Sequence, residues 1–137
     1  MSIVIDASVA LKWVLDEPGQ AEADALLENE LIAPSLWLLE AANALWRRSV
    51  RGELSTAEAE ERLSELFHAP VTSIRIEEDL VSAARLAGEF SHPTFDCLYL
   101  ALAMRENTYV VTADQRFYGA VANHPTFAGA VRLLVHP

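Results

Sequence analysis

A three-layer α/β/α sandwich around a mainly parallel central sheet is the fold class this sequence predicts, and three observations predict it. Strand-like and helix-like stretches alternate along the whole chain, the order that produces a parallel sheet covered by helices. Two of the strand-like stretches, Ile3-Val4-Ile5 and Tyr109-Val110-Val111-Thr112, are branched and aromatic runs without polar alternation, as strands buried on both faces are. Each is followed by a carboxylate, Asp6 or Asp114, at the sheet edge where open α/β folds bind their ligands.

The elements follow in order. Ser2 to Asp6 reads as a central strand, and Ser8 to Leu15 as a short helix packed through Ala10, Trp13 and Val14, capped by Asp6 or Ser8 and stopped by Asp16-Glu17-Pro18-Gly19. Gln20 to Asn29 reads as a helix with Ala21, Ala25 and Leu26 inward and Glu22, Asp24 and Glu28 in solvent. Leu31-Ile32-Ala33 is long enough only for a brief strand. Pro34 suits a first helical turn, and the helix it opens runs to about Arg51 with Leu36, Leu39, Trp46 and Val50 as its apolar positions.

Ser55 and Glu58 form a capping-box pattern for a helix reaching about His68, whose glutamates form a solvated face. Val71 to Ile74 is a strand candidate. Glu77 to Phe90 is a helix with Leu80, Ala83, Ala84 and Ala87 inward, and Thr94 to Arg105 another after the break at Ser91-His92-Pro93. Asp114 leads a short helix through Phe117, and Val131 to Leu134 forms a last strand.

A chain of 137 residues, 52% apolar, is expected to form a single domain over residues 1–137 with a sizeable core. No apolar run approaches the roughly 20 residues of a membrane span, and the amino terminus lacks a signal-peptide layout, so a cytoplasmic location and no membrane partner are expected. Cys97 is the one cysteine, and His68, His92, His124 and His136 are scattered. A thiolate-and-imidazole zinc site is therefore not indicated, and any metal would be a hard one held by oxygen. Ten basic residues against twenty acidic ones give a formal charge of −10, the wrong sign for binding nucleic acid through phosphates. A site that works through divalent cations supplies its own positive charge, and an acidic body also suits a basic protein partner.

Four acids stand out. Asp6 and Asp114 end strands of one parallel sheet, Asp96 opens a helix, and Glu40 lies among Trp37, Leu38, Leu39, Ala41 and Ala42 with Asn43 and Arg47 continuing a polar strip. Each has an ordinary reading as well. An aspartate after a strand is a common N-cap, Asp96 complements a helix dipole, and Glu40 can face solvent. Taken together they carry more: clustered carboxylates repel one another, and a divalent cation such as magnesium or manganese offsets that repulsion. Ser8 and Thr112, each two residues from an aspartate, are hydroxyls that can bond these carboxylates or serve as turn residues.

With these pieces in view, the sequence resembles the PIN-domain family and, within it, the VapC-type toxin ribonucleases of bacterial toxin–antitoxin pairs. The matching stretches are Ile3-Val4-Ile5-Asp6-Ala7-Ser8, Pro34 to Leu45 around Glu40, Phe95 to Ala103 around Asp96, and Val111-Thr112-Ala113-Asp114. The resemblance implies a magnesium-dependent endoribonuclease, with manganese a possible substitute. It implies Asp6, Glu40, Asp96 and Asp114 as catalytic and metal-holding acids, with Asp6 and Asp96 the commonest direct ligands, and Ser8, Thr112 and Asn43 in support. Cleavage would leave a 5′-phosphate and a 3′-hydroxyl. Cys97, where the family often has alanine, reads as a small core residue.

The cations available to grip RNA are Arg47, Arg48 and Arg51 on the Glu40 helix, with Lys12 and Arg116 following the two strand-end aspartates. The resemblance also implies a small antitoxin whose basic tail enters the acidic pocket. Trp13 and Trp46, as aromatics, are candidates for a homodimer face or an antitoxin groove. Three rivals stay open: an RNA-processing nuclease of PIN type outside toxin–antitoxin systems, a non-catalytic protein-binding module of the same fold, and a receiver-type phosphotransfer domain. The last usually needs adjacent acids after its first strand and a late lysine, whereas Lys12 is the only lysine here.

Overall fold

The computed structural model describes residues 2–135; His136 lies outside them. Five strands form one sheet: β1 (Ser2–Ile5), β2 (Glu30–Pro34), β3 (Val71–Ile74), β4 (Val110–Thr112) and β5 (Val131–Leu133). Every pairing is parallel and the order is β3-β2-β1-β4-β5. The helices are α1 (Ala7–Ala10), α2 (Gln20–Leu26), α3 (Trp37–Val50), α4 (Thr56–Leu66), α5 (Leu80–Phe90), α6 (Thr94–Arg105) and α7 (Gln115–Ala122). This is the three-layer α/β/α sandwich with a parallel sheet.

The order places β1 at the centre, and the chain winds outward from it in both directions. Val4 and Ile5 pair with Val110 and Val111 of β4, so the residues that follow, Asp6 and Asp114, leave the same edge side by side. The point between two strands whose connections run to opposite sides is where this topology opens a crevice.

Helix α6 is the part of the core that most directly serves that crevice. Cys97 through Ala103 are all buried, and the helix packs across β1, β2 and β4 and along α5. Its small residues Ala101 and Ala103 let it lie close to the sheet.

Several faces differ from the sequence expectation. Helix α3 begins at Trp37, and Pro34 instead ends β2 in register with Ile74. The missing N–H of proline is tolerated at a strand end as readily as in a first helical turn. The buried face of α3 is Trp37, Ala41 and Leu45, while Leu39 (71%), Trp46 (59%) and Val50 (66%) are exposed. On α2 the buried residue is Ala23, with Ala21 and Ala25 in solvent. On α5 it is Ala83 and Leu86, with Leu80 and Ala84 outward. Helix α7 runs to Ala122, beyond the expected end at Phe117.

Candidate active site

Asp6 is delivered by β1 and immediately caps α1, its carboxylate accepting from the Val9 amide at 3.3 Å. Ser8 and Thr112 also donate hydroxyl hydrogen bonds to its two oxygens. Asp114 plays the same part for α7, its Oδ1 accepting from the amides of Arg116 (2.9 Å) and Phe117 (3.3 Å). The ordinary role and the functional candidacy therefore coincide: both carboxylates are fixed by the helix they start. Thr112 joins the two, since its hydroxyl donates to Asp6 and accepts from the Asp114 amide at 3.0 Å. Ser8 Oγ in turn accepts from the Ala113 amide at 2.9 Å.

Glu40 rides in the first turns of α3, half-buried, and accepts a short hydrogen bond from the Tyr99 hydroxyl. Asp96 lies in the first turn of α6, and its Oδ2 meets His92 Nε2 at 2.6 Å. These two holders, Tyr99 and His92, were not singled out from the sequence as site residues. Their signal was present in the spacing, one residue three positions after Asp96 and the other four before it.

The four acids line one cavity of about 240 Å³, together with Ser8, Asn43 and Arg47. Thr112 is buried beneath Asp6. Lys12 stands elsewhere, bonded to Glu17 (3.2 Å) and the Pro18 carbonyl (2.8 Å), and Arg48 pairs with the same Glu17 at 2.6 Å. Arg51 and Arg116 are exposed and do not line the cavity.

Electrostatics bind the acids into one system. Burial pushes Asp6 up to about 6 against the pull of its hydrogen bonds, with the Asp96 charge adding to the rise. Burial likewise pushes Glu40 up to about 7, and Asp96 and Asp6 both add to it while the Tyr99 bond and Arg47 oppose. Asp96 is raised by burial and by Asp114, with His92 opposing. A pocket of this kind favours anything that brings positive charge into it. Tyr99 is held well above its ordinary range by burial and the surrounding carboxylates, so its hydroxyl stays a donor. Cys97 is pushed up to about 11, chiefly by burial, which leaves its thiol protonated and inert.

Among the described residues, no three or more Asp, Glu, His or Cys side chains are grouped so that they could hold a metal ion as they stand. The donor chemistry nonetheless fits a hard cation: the lining offers carboxylate and amide oxygens and no soft ligand. Magnesium commonly keeps several waters and uses only one or two carboxylates. The cavity has room for a partly hydrated ion, since a water occupies roughly 30 Å³.

A parallel α/β sandwich with carboxylates gathered at the switch point of its sheet defines the class: an α/β protein with an acidic pocket at the strand ends. The model of the PIN domain matches residues 3–122, and the chain belongs to the PIN-domain family. Among curated proteins none matches significantly. Solved structures similar in fold include a protein of Pyrobaculum aerophilum at 21% identity and TM-score 0.73, covering 98% of this chain and 84% of that one. A toxin–antitoxin complex from Klebsiella pneumoniae aligns at 14% identity and TM-score 0.67, over 98% and 99% of the two chains. VapC20 of Mycobacterium tuberculosis, a sarcin–ricin loop cleaving toxin, aligns at 16% identity and TM-score 0.64, over 86% and 94%. No helix among the described residues is long and apolar enough to cross a membrane.

Proposed function

We propose that this chain is a magnesium-dependent endoribonuclease and the toxin of a toxin–antitoxin pair, with Asp6, Glu40, Asp96 and Asp114 as its catalytic acids. The observation that carries the reading is that four acids from four distant points of the chain line one small cavity at the switch point of the sheet. Membership of the PIN-domain family supports it, as do a toxin–antitoxin complex and an RNA-cleaving toxin among the proteins of similar fold.

Asp6 and Asp96 are the proposed direct holders of the cation, with Glu40, Asp114 and Asn43 completing its surroundings directly or through water. When bound, a divalent ion supplies an activated water and a counter-charge for the phosphate in the transition state. The chain's own residues do the rest. Ser8 and Thr112 fix the Asp6 carboxylate, and Tyr99 fixes Glu40. Burial and the neighbouring acids push Glu40 up to about 7 without a cation, and beside a bound divalent ion it would stay ionised as a charge partner. Arg47 lines the cavity and is the cation best placed to meet a substrate phosphate, with Arg51 and Arg116 exposed outside the cavity. Lys12, engaged by Glu17 and Pro18, is the weakest of the RNA-binding candidates.

The antitoxin part rests on charge and on one exposed face. A body of charge −10 suits a basic tail. Leu39, Trp46 and Val50 form an exposed apolar stripe on α3, the helix that also carries Glu40, Asn43 and Arg47. Trp13 fits this role less well, being half-buried with its indole N–H donated to the Ala23 carbonyl at 2.9 Å.

Incubation with total RNA, with and without magnesium, followed by mapping of the cut ends, tests the reading. Cleavage that requires magnesium and leaves 5′-phosphates is expected, and Asp96→Asn abolishes it in a folded protein. RNA cut equally well in EDTA, or by the Asp96→Asn variant, overturns it.

A further inference from the structure

His92 meets Asp96 but has no part in the proposed chemistry, and its surroundings are closely built. It sits in the turn between α5 and α6, buried, with its amide donating to the Ala87 carbonyl at 3.2 Å. Ser91 before it takes a left-handed conformation (φ 51°), closing α5, and Pro93 after it leads directly into α6. The backbone on both sides is therefore set. The ring stacks on Phe117 with centroids 5.6 Å apart and planes at 23°. From this enclosed ring Nε2 meets Asp96 Oδ2 at 2.6 Å.

A buried imidazole N–H needs an acceptor, and here the acceptor is a carboxylate that lines the cavity. The imidazole engages a single oxygen of Asp96, Oδ2, and no hydrogen bond to its Oδ1 occurs among the described residues. Phe117 carries the connection further. It lies in the first turn of α7, and its amide donates to Asp114 Oδ1 at 3.3 Å. One imidazole thus touches Asp96 on one side and Phe117, in the turn capped by Asp114, on the other, although the two acids belong to separate helices.

We infer that His92 is a positioning residue: by donating from Nε2 it orients the Asp96 carboxylate toward the cavity, and by stacking on Phe117 it ties that carboxylate to the α7 turn that holds Asp114. The inference rests on the reading that the cavity takes a divalent cation. Histidine and carboxylate pairs that orient a metal ligand from outside commonly change metal affinity or activity by 10- to 100-fold when one partner is lost.

Manganese is the probe, with free Mn²⁺ followed by its paramagnetic resonance signal as protein is titrated. Two variants separate the two functions of the ring. His92→Phe keeps an aromatic surface for Phe117 and removes the donor; His92→Gln keeps a donor and removes the ring. Urea unfolding of each variant, without metal, reports whether the fold is intact. His92→Phe is expected to weaken Mn²⁺ binding by about 10- to 100-fold, and His92→Gln, which keeps the donor and loses only the stack on Phe117, by a smaller factor that lies between His92→Phe and wild type. In RNA cleavage the His92→Phe defect shrinks as Mn²⁺ is raised, with KM for RNA unchanged. If His92→Phe binds Mn²⁺ as tightly as wild type, or His92→Gln is as weak as His92→Phe, the positioning role is wrong. If wild type itself takes up no Mn²⁺, the cation reading falls and this inference with it.

Discussion

In the absence of metal, raising the pH from 5 to 8 is expected to destabilise this protein through its buried carboxyls, Asp6 first among them. Its carboxyl is buried, 6% exposed, and burial lifts it from 3.8 to about 6 despite hydrogen bonds from Ser8, Thr112 and the Val9 amide. Between those two values the folded chain keeps a proton that the unfolded chain has released. Stability is therefore full below about pH 4 and falls as pH rises through about 6. A gap of about 2 at about 1.4 kcal/mol per pH unit gives a total loss of about 3 kcal/mol, of which about half remains to be lost between pH 5 and pH 8. Glu40, raised to about 7, moves in the same direction and steepens the fall above pH 6.

The assay is urea unfolding in EDTA at pH 5, 6, 7 and 8. With a slope of about 2 kcal/mol per molar urea for a chain of this size, Asp6 alone lowers the midpoint by about 0.7 M across that range. Asp6→Asn keeps an oxygen to accept from Val9 and Ser8 but has no charge to bury. It is expected to show a shallower pH dependence and, at pH 8, a midpoint at or above that of wild type. A wild-type midpoint equal at pH 5 and pH 8, or an Asp6→Asn variant that keeps the full slope, would refute the claim that burial raises this acid.

Magnesium at one hundred times its dissociation constant should add about 2.7 kcal/mol to the stability at pH 8, read as a rise in melting temperature that EDTA reverses and that Asp96→Asn lacks. Thr112→Val removes the hydroxyl that donates to Asp6 and accepts from the Asp114 amide. A loss of about 1–3 kcal/mol in urea unfolding is expected for the buried groups left unpaired, and an unchanged midpoint would show that neither bond matters. Far from the cavity, Arg105 clamps the buried Asp79 with two bonds of 2.7 and 2.9 Å. Arg105→Met should cost about 3 kcal/mol, the low end for a broken buried pair because the guanidinium is partly in solvent, while leaving RNA cleavage by the folded fraction as it was.

What could be read from the letters depended on whether one signal or two competed at a position. The branched run of β1 and the all-apolar stretch of α6 admit one reading each, and the bounds of α6, Thr94 to Arg105, were legible to the residue. Helix α3 carries two apolar faces, one of Leu39, Trp46 and Val50 and one of Trp37, Ala41 and Leu45. Residue size does not choose between them, since each holds a tryptophan, and only the packing against the rest of the fold buries Trp37. Pro34 satisfies a strand end and a helix start equally, and only the pairing with Ile74 decides between them. The four acids were legible as candidates because two follow buried strands and the others sit in apolar company. That they share a cavity depends on strand order, which local pattern does not contain. His92 and Tyr99 were passed over for a related reason: a histidine before a proline and a tyrosine in an apolar helix look like packing until the partners across the fold are known.

Helix α6 has one further consequence. Seven successive buried residues, Cys97 through Ala103, leave it no face on which to roll, and Asp96 and Tyr99 ride on it as fixed points on a shaft. A bulkier side chain at Ala101 or Ala103, about one turn or less from Tyr99 and up to about two turns from Asp96, would shove that shaft against the sheet and carry both points with it. Weakened variants whose pocket lining is wholly wild type should therefore be sought first along this rod.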